Sequence, residues 1–567
     1  MLVFFLVVHV LCAFILRADP DEYQMLGAAF ATLRGEVLFV DVWDNHGPAI
    51  TWLLAGLLSL FGTESAGVIL PLRAVFLAFS LATLAVLYHL ARTEVFKDRV
   101  TAWLAVAGCV VSVPIAAKAM ELRGDSPMNL LWVLVILLWV RAWRTGSPWM
   151  WFASGLILGS CFFFSVKTLI LGFTIGLMFL MWFWMERRVR VIPVLLFGLG
   201  CAIPFITMLV ILHLQGSLDA FLVDFFGKNL GREGPSGFAR GFTRMRRSGR
   251  VWAYVTLFVL GYGWMVFRRP SAPPILRILW PAVFFLIFQY VFLLPTSWLQ
   301  SLLPAMPLIA LFFAWTVQDF LRDGRHFGPR ASAVALFTLL LIMWMDVARL
   351  PKRVKDGGFL PGDIRHHAQL LAAIPPSEPV FSGFPMPYLR DHPLRVKSLV
   401  AVLRNLVNKD RLDLRVVETL AERDVRFVMY DSRVWDSPPA TIKFLETHYL
   451  PLRHKHLMAA GKAVPAGADG TASAEIAIAG DYHWKTMGGT LRLNGEVAPN
   501  PVPLPDGTHE FSWEGTVPLV LCIAPPEDWS LRTGDFQGFM FLEEWKRSAE
   551  ATWPMDEHDS RLQPMTP

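Results

Sequence analysis

The chain has 567 residues, 54% of them hydrophobic and 17% charged, with a formal net charge of +6. Soluble domains carry about 25% charged residues; the deficit here is confined to residues 1 to about 350, which excludes an ordinary soluble fold for that part. The positive balance of such a chain reports orientation in a membrane rather than a nucleic-acid partner, and the five cysteines offer neither a disulfide pair for the C-terminal part nor a metal-site spacing.

Apolar runs near 2–16, 67–91, 101–117, 128–143, 149–165, 168–185, 191–213, 251–267, 277–294, 301–320 and 331–348 approach the length a bilayer crossing requires. They predict a polytopic α-helical membrane protein of about eleven spans. A further stretch, 48–62, is short for a crossing and is expected to lie along the interface. The first span is expected to stay uncleaved, because no basic flank precedes it and no small-residue cleavage site follows. That missing flank points to a start further upstream.

Every second loop is basic: Arg92, Lys97 and Arg99; Arg141 and Arg144; Arg187, Arg188 and Arg190; Arg268, Arg269 and Arg277; Arg322, Arg325 and Arg330. This positive-inside pattern predicts a multi-pass membrane protein, with the other loops and the C-terminal part facing outward, away from the cytosol. One outward loop departs from it. Between 215 and 250 lie Lys228, Arg232, Arg240, Arg244, Arg246, Arg247 and Arg250, interspersed with Gly227, Gly231, Gly234, Gly237 and Gly241. Two readings stand: an anion site matched to phosphate by guanidinium forks, or a patch resting on anionic lipid headgroups.

Acidic residues gather at span ends. After the first span comes RADPDEYQML, where Asp21 and Glu22 open an amphipathic helix with Tyr23, Leu26, Phe30 and Leu33 at helical spacing. Asp44, Asn45 and His46 follow in the same loop. The next outward loop, KAMELRGDSPMNLL, offers Glu121, Arg123 and Asp125. Helix capping is the plain alternative for both acidic groups. Taken together with the basic loop they suit group transfer: a carboxylate deprotonates a hydroxyl while cations hold a departing phosphate.

The segments DPDEYQMLGAAF, FVDVWDNHGPAITWL, ELRGDSPMNLLW and WLQSLLPAMPLIALFFA, in that order and loop placement, resemble the GT-C superfamily of membrane glycosyltransferases. The bacterial branch related to protein mannosyltransferases and the lipid A aminoarabinose transferase is the most similar. The resemblance implies inverting transfer from a polyprenyl-phosphate sugar donor to a lipid, glycan or protein acceptor. It would make Asp21 the catalytic base and Asp125 the second acidic site, orienting the acceptor or a divalent cation. Glu22, Asp44, His46, Glu121, Arg123, Arg232, Arg240 and Arg244 are the expected substrate-binding residues. The family's lysine, which contacts the donor phosphate, is replaced here by His46, and the proline after it by Gly47. Histidine brings a hydrogen bond and only fractional charge, and the basic 215–250 loop could compensate.

Residues 351–457 read as an extramembrane α/β region, with a strand at PVFSGF and a helix followed by a strand in DLRVVETLAERDVRFVMYD. Residues 456–470 read as a linker. From 470 to 530, EIAIAG, TLRLNG, HEFSW and VPLVLCIA read as strands of a small β-sandwich, turning at Asn494-Gly495 and Asp506-Gly507. Trp484 and Trp513 there are either core residues or a stacking platform for glycan. Residues 531–567 form a tail. The competing readings are a lipid or solute transporter or flippase, which would place ionisable groups at mid-membrane in two repeated halves, and a non-catalytic relative of the same superfamily.

Overall fold

The computed structural model describes residues 2–110, 117–227, 272–289, 292, 299–322, 359–384, 386–399, 407, 413–452, 457–467, 470–486, 489–514 and 519–523. The expected spans 251–267 and 331–348 lie outside these residues, as does the basic stretch 228–250 with Arg232, Arg240 and Arg244.

The membrane part runs through helices α1 (Leu2–Ile15), α2 (Pro20–Leu33), α3 (Pro48–Phe61), α4 (Ile69–Leu90), α5 (Arg99–Val110), α6 (Asp125–Thr145), α7 (Pro148–Cys161), α8 (Thr168–Glu186), α9 (Val191–Leu214), α10 (Pro274–Phe288) and α11 (Met306–Arg322). Among the described residues, five helical stretches are long and apolar enough to cross a membrane: Ala66–Val95, Asp125–Thr145, Thr168–Glu186, Val191–Leu214 and Ser301–Asp319. Leu6–Ile15, Pro48–Phe61, Arg99–Val110 and Pro274–Phe288 are shorter apolar helices.

Packing follows side-chain size. The interior of α6, α7 and α8 is aromatic: Trp139, Trp151 and Trp182 are buried, with ring centroids 5.3 Å apart for Trp139–Trp151 and for Trp151–Trp182. These tryptophans fill the core rather than lining a lipid groove. Helices α7 and α9 cross so closely that a side chain at Gly155 or Gly159 would strike the carbonyl oxygens of Phe197 or Cys201, the small-residue packing of membrane helices.

The ends of the helices sort by charge. At one end Glu94 receives Arg141 at 2.8 Å and Arg144 at 2.7 Å, joining two of the loops read as inward. At the other end the acidic loops meet each other and the extramembrane region. There Arg17 pairs with Asp363 (3.3 Å), Lys397 with Glu36 (2.7 Å), and Tyr388 donates to the Ala66 carbonyl (2.6 Å).

The extramembrane region begins with α12 (Leu360–Ala373). Its seven-stranded sheet has the order β1 (Val380–Ser382), β2 (Phe427–Met429), β4 (Leu457–Val464), β11 (Leu519–Cys522), β6 (Gly480–Lys485), β9 (Val502–Leu504), with β3 (Tyr449–Pro451) also on β4. A second sheet orders β5 (Thr471–Ile476), β10 (Gly507–Ser512), β7 (Arg492–Leu493), β8 (Glu496–Val497). The two sheets close on a common core that includes Ile476, Phe511, Trp513 and Leu521. The linker expected at 456–470 is therefore corrected: 457–464 is a strand, paired with β2 and β3 on its two edges along 457–460 and with β11 along 461–464. Its alanines and glycine read as flexible, yet they lie in a sheet where Leu450 and the Leu521 carbonyl leave no room for a side chain at Gly461. Trp513 is a core residue, 5% exposed, whereas Trp484 is half-buried and donates to the Pro499 carbonyl at 2.7 Å.

Candidate functional site

Helix α2 starts with a capping box. The Asp19 carboxylate accepts the Asp21 N–H (3.0 Å), and Glu22 Oε2 accepts the Asp19 N–H (2.8 Å), so Asp19 and Glu22 satisfy donors that the first turn leaves open. Capping thus falls to Asp19 and Glu22, and Asp21 turns to a different partner.

Glu22 is fully enclosed. It accepts from Arg73 Nε (3.0 Å), Arg73 Nη2 (2.5 Å) and the Leu122 N–H (3.0 Å). Arg73 also donates to the Ala13 and Leu16 carbonyls at 2.9 and 2.7 Å. Glu22, with Arg73, is a tie between α1, α2, α4 and the second acidic loop. Asp44 is equally enclosed and accepts from Gln24 (3.4 Å), Thr51 (3.2 Å), the His46 N–H (3.0 Å) and His46 Nδ1 (2.8 Å). It holds the His46 ring.

Arg123 joins the two acidic loops. Its Nη1 binds Asp21 Oδ2 in a short contact and lies 3.5 Å from Asp19 Oδ1, while its Nε lies 3.6 Å from Asp125 Oδ2. The two expected catalytic carboxylates therefore share one guanidinium. Asp125 does not cap α6; the cap position is Gly124, with no side-chain bond. Instead Asp125 Oδ1 takes Lys167 at 2.6 Å. Lys118 bridges Asp19 (2.5 Å) and Glu121 (2.7 Å). Exposure separates the residues: the Asp21 side chain is 32% exposed, whereas Arg123 and Asp125 are each 6% exposed. Asp21 is thus the carboxylate most open to an arriving molecule.

The charges oppose one another. Burial alone would raise the Asp21 carboxyl, but Arg123, followed by His46, Arg433 and Lys118, holds it down at about 2. Burial pushes the Glu121 carboxyl up, against Lys118 and with the charges of Asp19 and Glu22, to about 8. Neighbouring carboxyls driven apart in this way provide one ionised and one protonated group near neutral pH. Among the described residues no group of three or more His, Cys, Asp or Glu is arranged to hold a metal ion.

A third loop, 162–167, completes the cluster. Gly47 N–H donates to the Phe164 carbonyl (3.2 Å) and Ala49 N–H to the Phe163 carbonyl (2.8 Å). A Cβ on Gly47 would lie 2.3 Å from Phe163 O, and one on Gly124 2.7 Å from Phe164 O. Proline at 47 would lack the donated N–H and strike that carbonyl, so the glycine follows from this packing. The same junction carries Lys167 to Asp125. Lys118, Lys167, Asp19 and Arg433 were not among the expected site residues. Lys167 had a signal, as a solitary cation between the apolar runs FFFSV and TLILGF; Arg433, some 300 residues away in the extramembrane region, had none.

Comparison with known proteins agrees with this architecture. Residues 45–211 match the family model described as dolichyl-phosphate-mannose-protein mannosyltransferase. That segment carries His46, Glu121, Arg123, Asp125 and Lys167 and leaves Asp21 outside it. The crystal structure of ArnT from Cupriavidus metallidurans bound to undecaprenyl phosphate superposes with a TM-score of 0.54 at 13% identity, covering 81% of this chain and 97% of that one. The apo structure of the same protein gives 0.54 at 12% identity with the same coverage. No curated protein matches the chain. The chain resembles the GT-C membrane glycosyltransferases of the protein-mannosyltransferase and aminoarabinose-transferase branch, and its fold is that of ArnT.

Proposed function

We propose that the protein is a glycosyltransferase of the bacterial inner membrane. It moves a sugar from a polyprenyl-phosphate-linked donor to an acceptor hydroxyl on the periplasmic face, with inversion at the anomeric carbon. One observation carries the reading: Asp21 and Asp125, from separate loops, converge on Arg123 with Lys167 and Lys118 alongside. The family match over 45–211 supports it.

In this reaction Asp21 accepts the proton of the acceptor hydroxyl as its oxygen attacks the anomeric carbon. The bond from that carbon to the phosphate oxygen breaks, and the polyprenyl phosphate leaves with the electron pair. Phosphate is a good leaving group, so cations that stabilise its charge suffice without a strong acid. The resting cluster adds an ordering rule. A carboxylate held at about 2 is a weak base, and general-base efficiency rises as the pKa approaches the working pH. A donor phosphate competes with Asp21 for Arg123, and its arrival frees the base. Donor binding therefore precedes activation of the acceptor.

The ionisable groups of the cluster sit at helix ends and loops, which favours this reading over a transporter with charges at mid-membrane. The test is Asp21→Asn in the full chain, assayed for sugar transfer from a polyprenyl-phosphate donor. Loss of transfer by a chain that still folds cooperatively, with at most a modestly lowered unfolding temperature, is expected; undiminished transfer refutes Asp21 as the base.

A further inference from the structure

The extramembrane region meets helix α2 in a seam just beyond Asp21, and a histidine is enclosed in it. His367 of α12 is 1% exposed, and neither Nδ1 nor Nε2 has a hydrogen-bond partner among the described residues. Its ring centroid lies 5.1 Å from that of Tyr23 in α2 and 4.6 Å from that of Tyr388, and the two tyrosines stack on each other at 5.8 Å. Leu26, Leu360, Phe384 and Met386 belong to the same apolar cluster as both tyrosines. The tyrosine hydroxyls bond elsewhere, Tyr388 to the Ala66 carbonyl (2.6 Å) and Tyr23 to Asp363 (3.2 Å). The nearby carboxylates are committed as well. Asp363, one turn earlier in α12, also takes Arg17 (3.3 Å) and the Ala18 N–H (3.4 Å), while Glu22, beside Tyr23, is held by Arg73. Arg17, and His366 when protonated, repel positive charge at 367.

We propose that His367 is an acid-sensitive latch: protonation of its ring releases the extramembrane region from α2 and so loosens the helix that carries Asp21. A neutral imidazole here leaves one donor and one acceptor unmade. A phenyl ring would fill the space without that cost, so what the imidazole adds is the capacity to take up a proton. Once charged, the ring would have surrendered its hydration without gaining a partner, and cation–π attraction from the tyrosines is weaker than that loss. Burial, followed by His366 and Arg17, pushes the ring down from 6.5 to about 3. The docked state therefore binds the proton less well than the released state. Docking is undisturbed above pH 6.5 and weakens as pH falls from there toward 3. At pH 5 the balance shifts toward release by about 30-fold relative to neutral pH. The latch stands on the packing of the seam and does not depend on the reaction proposed above.

Hydrogen exchange on the purified full chain in lipid nanodiscs, at about pH 7.5 and about pH 5 and corrected for the intrinsic pH dependence of amide exchange, tests this. In wild type, peptides from α12 and the start of α2 should lose about 30-fold in protection at the lower pH and regain it on neutralisation, with α6 still protected. His367→Leu, close to histidine in volume, and His367→Phe, which keeps a flat ring, should be equally protected at both pH values. His392, buried in the same region, bonds to the Ser382 and Leu394 carbonyls; if it carried the response, the loss would persist in both variants. Such persistence overturns the proposal. So does a wild-type seam that keeps its protection at the lower pH, or a loss that extends equally to α6.

Discussion

Gly47→Ala isolates the junction that assembles the site. The glycine's backbone, at φ −69° and ψ 153°, suits any residue, so the substitution acts through space alone. The new Cβ would lie 2.3 Å from Phe163 O, 2.5 Å from Phe163 C and 2.8 Å from Phe164 C, where ordinary contact begins at 3.4 Å. The obstacle is backbone on both sides, and relief requires the two loops to part by about 1 Å, the difference between contact and clash. Parting weakens the hydrogen bonds from Gly47 to Phe164 and from Ala49 to Phe163, at a net cost of about 1–3 kcal/mol for the two. It also draws Lys167 away from Asp125 and shifts the His46 ring. Displacement of catalytic groups by about 1 Å costs roughly 100-fold in rate. Turnover with a polyprenyl-phosphate donor should therefore fall by about two orders of magnitude, with a smaller loss of stability on chemical unfolding. The control is Gly56→Ala in α3, which has nothing within 4 Å of its would-be side chain; it should gain about 0.5–1 kcal/mol as helix glycine gives way to alanine. Near-wild-type turnover and stability in Gly47→Ala would refute the three-loop assembly.

Two further outcomes follow from the buried charges. Arg73→Ala leaves Glu22 enclosed without its cation and should destabilise the protein by about 3–5 kcal/mol, measured by unfolding in detergent, whereas Arg73→Ala combined with Glu22→Leu should recover much of the loss; equal destabilisation by the single and double variants would contradict the tie. Glu121 gives a pH signature. Its carboxyl is raised from 4.5 to about 8 in the folded state, first by burial and then by Asp19 and Glu22 against Lys118. Across that window the folded chain holds a proton the unfolded chain has released, so stability falls as pH rises between these values and levels off above them. Glu121→Gln keeps the shape of the protonated group and should flatten the unfolding temperature over this range; a slope identical to wild type refutes the assignment.

Much was legible in the chain because the bilayer imposes simple rules. Uninterrupted apolar runs must be helices where no water can satisfy the backbone, and alternation of basic loops sorted the acidic loops to one end. Asp21, Arg123 and Asp125 were visible as charged groups at span ends, where burial in lipid is avoidable and a functional reason can be sought. What one sequence could not show was which carboxylate does which task. Asp21 and Glu22 are adjacent and chemically alike, yet a helix turns them about 100° apart, so one meets Arg73 inside and the other Arg123 at the opening. Strand β4 was misread because alanine and glycine at 459–461 carry no strand preference of their own; its pairing with β2, β3 and β11 overrides local propensity. Lys167 and Arg433 reach the cluster only through folding, the first by the packing of Phe163 and Phe164 on Gly47 and Gly124, the second by docking of a domain hundreds of residues away. Local chemistry and hydrophobic length determined the helices and the charged loop ends, while long-range packing alone decided which charges meet.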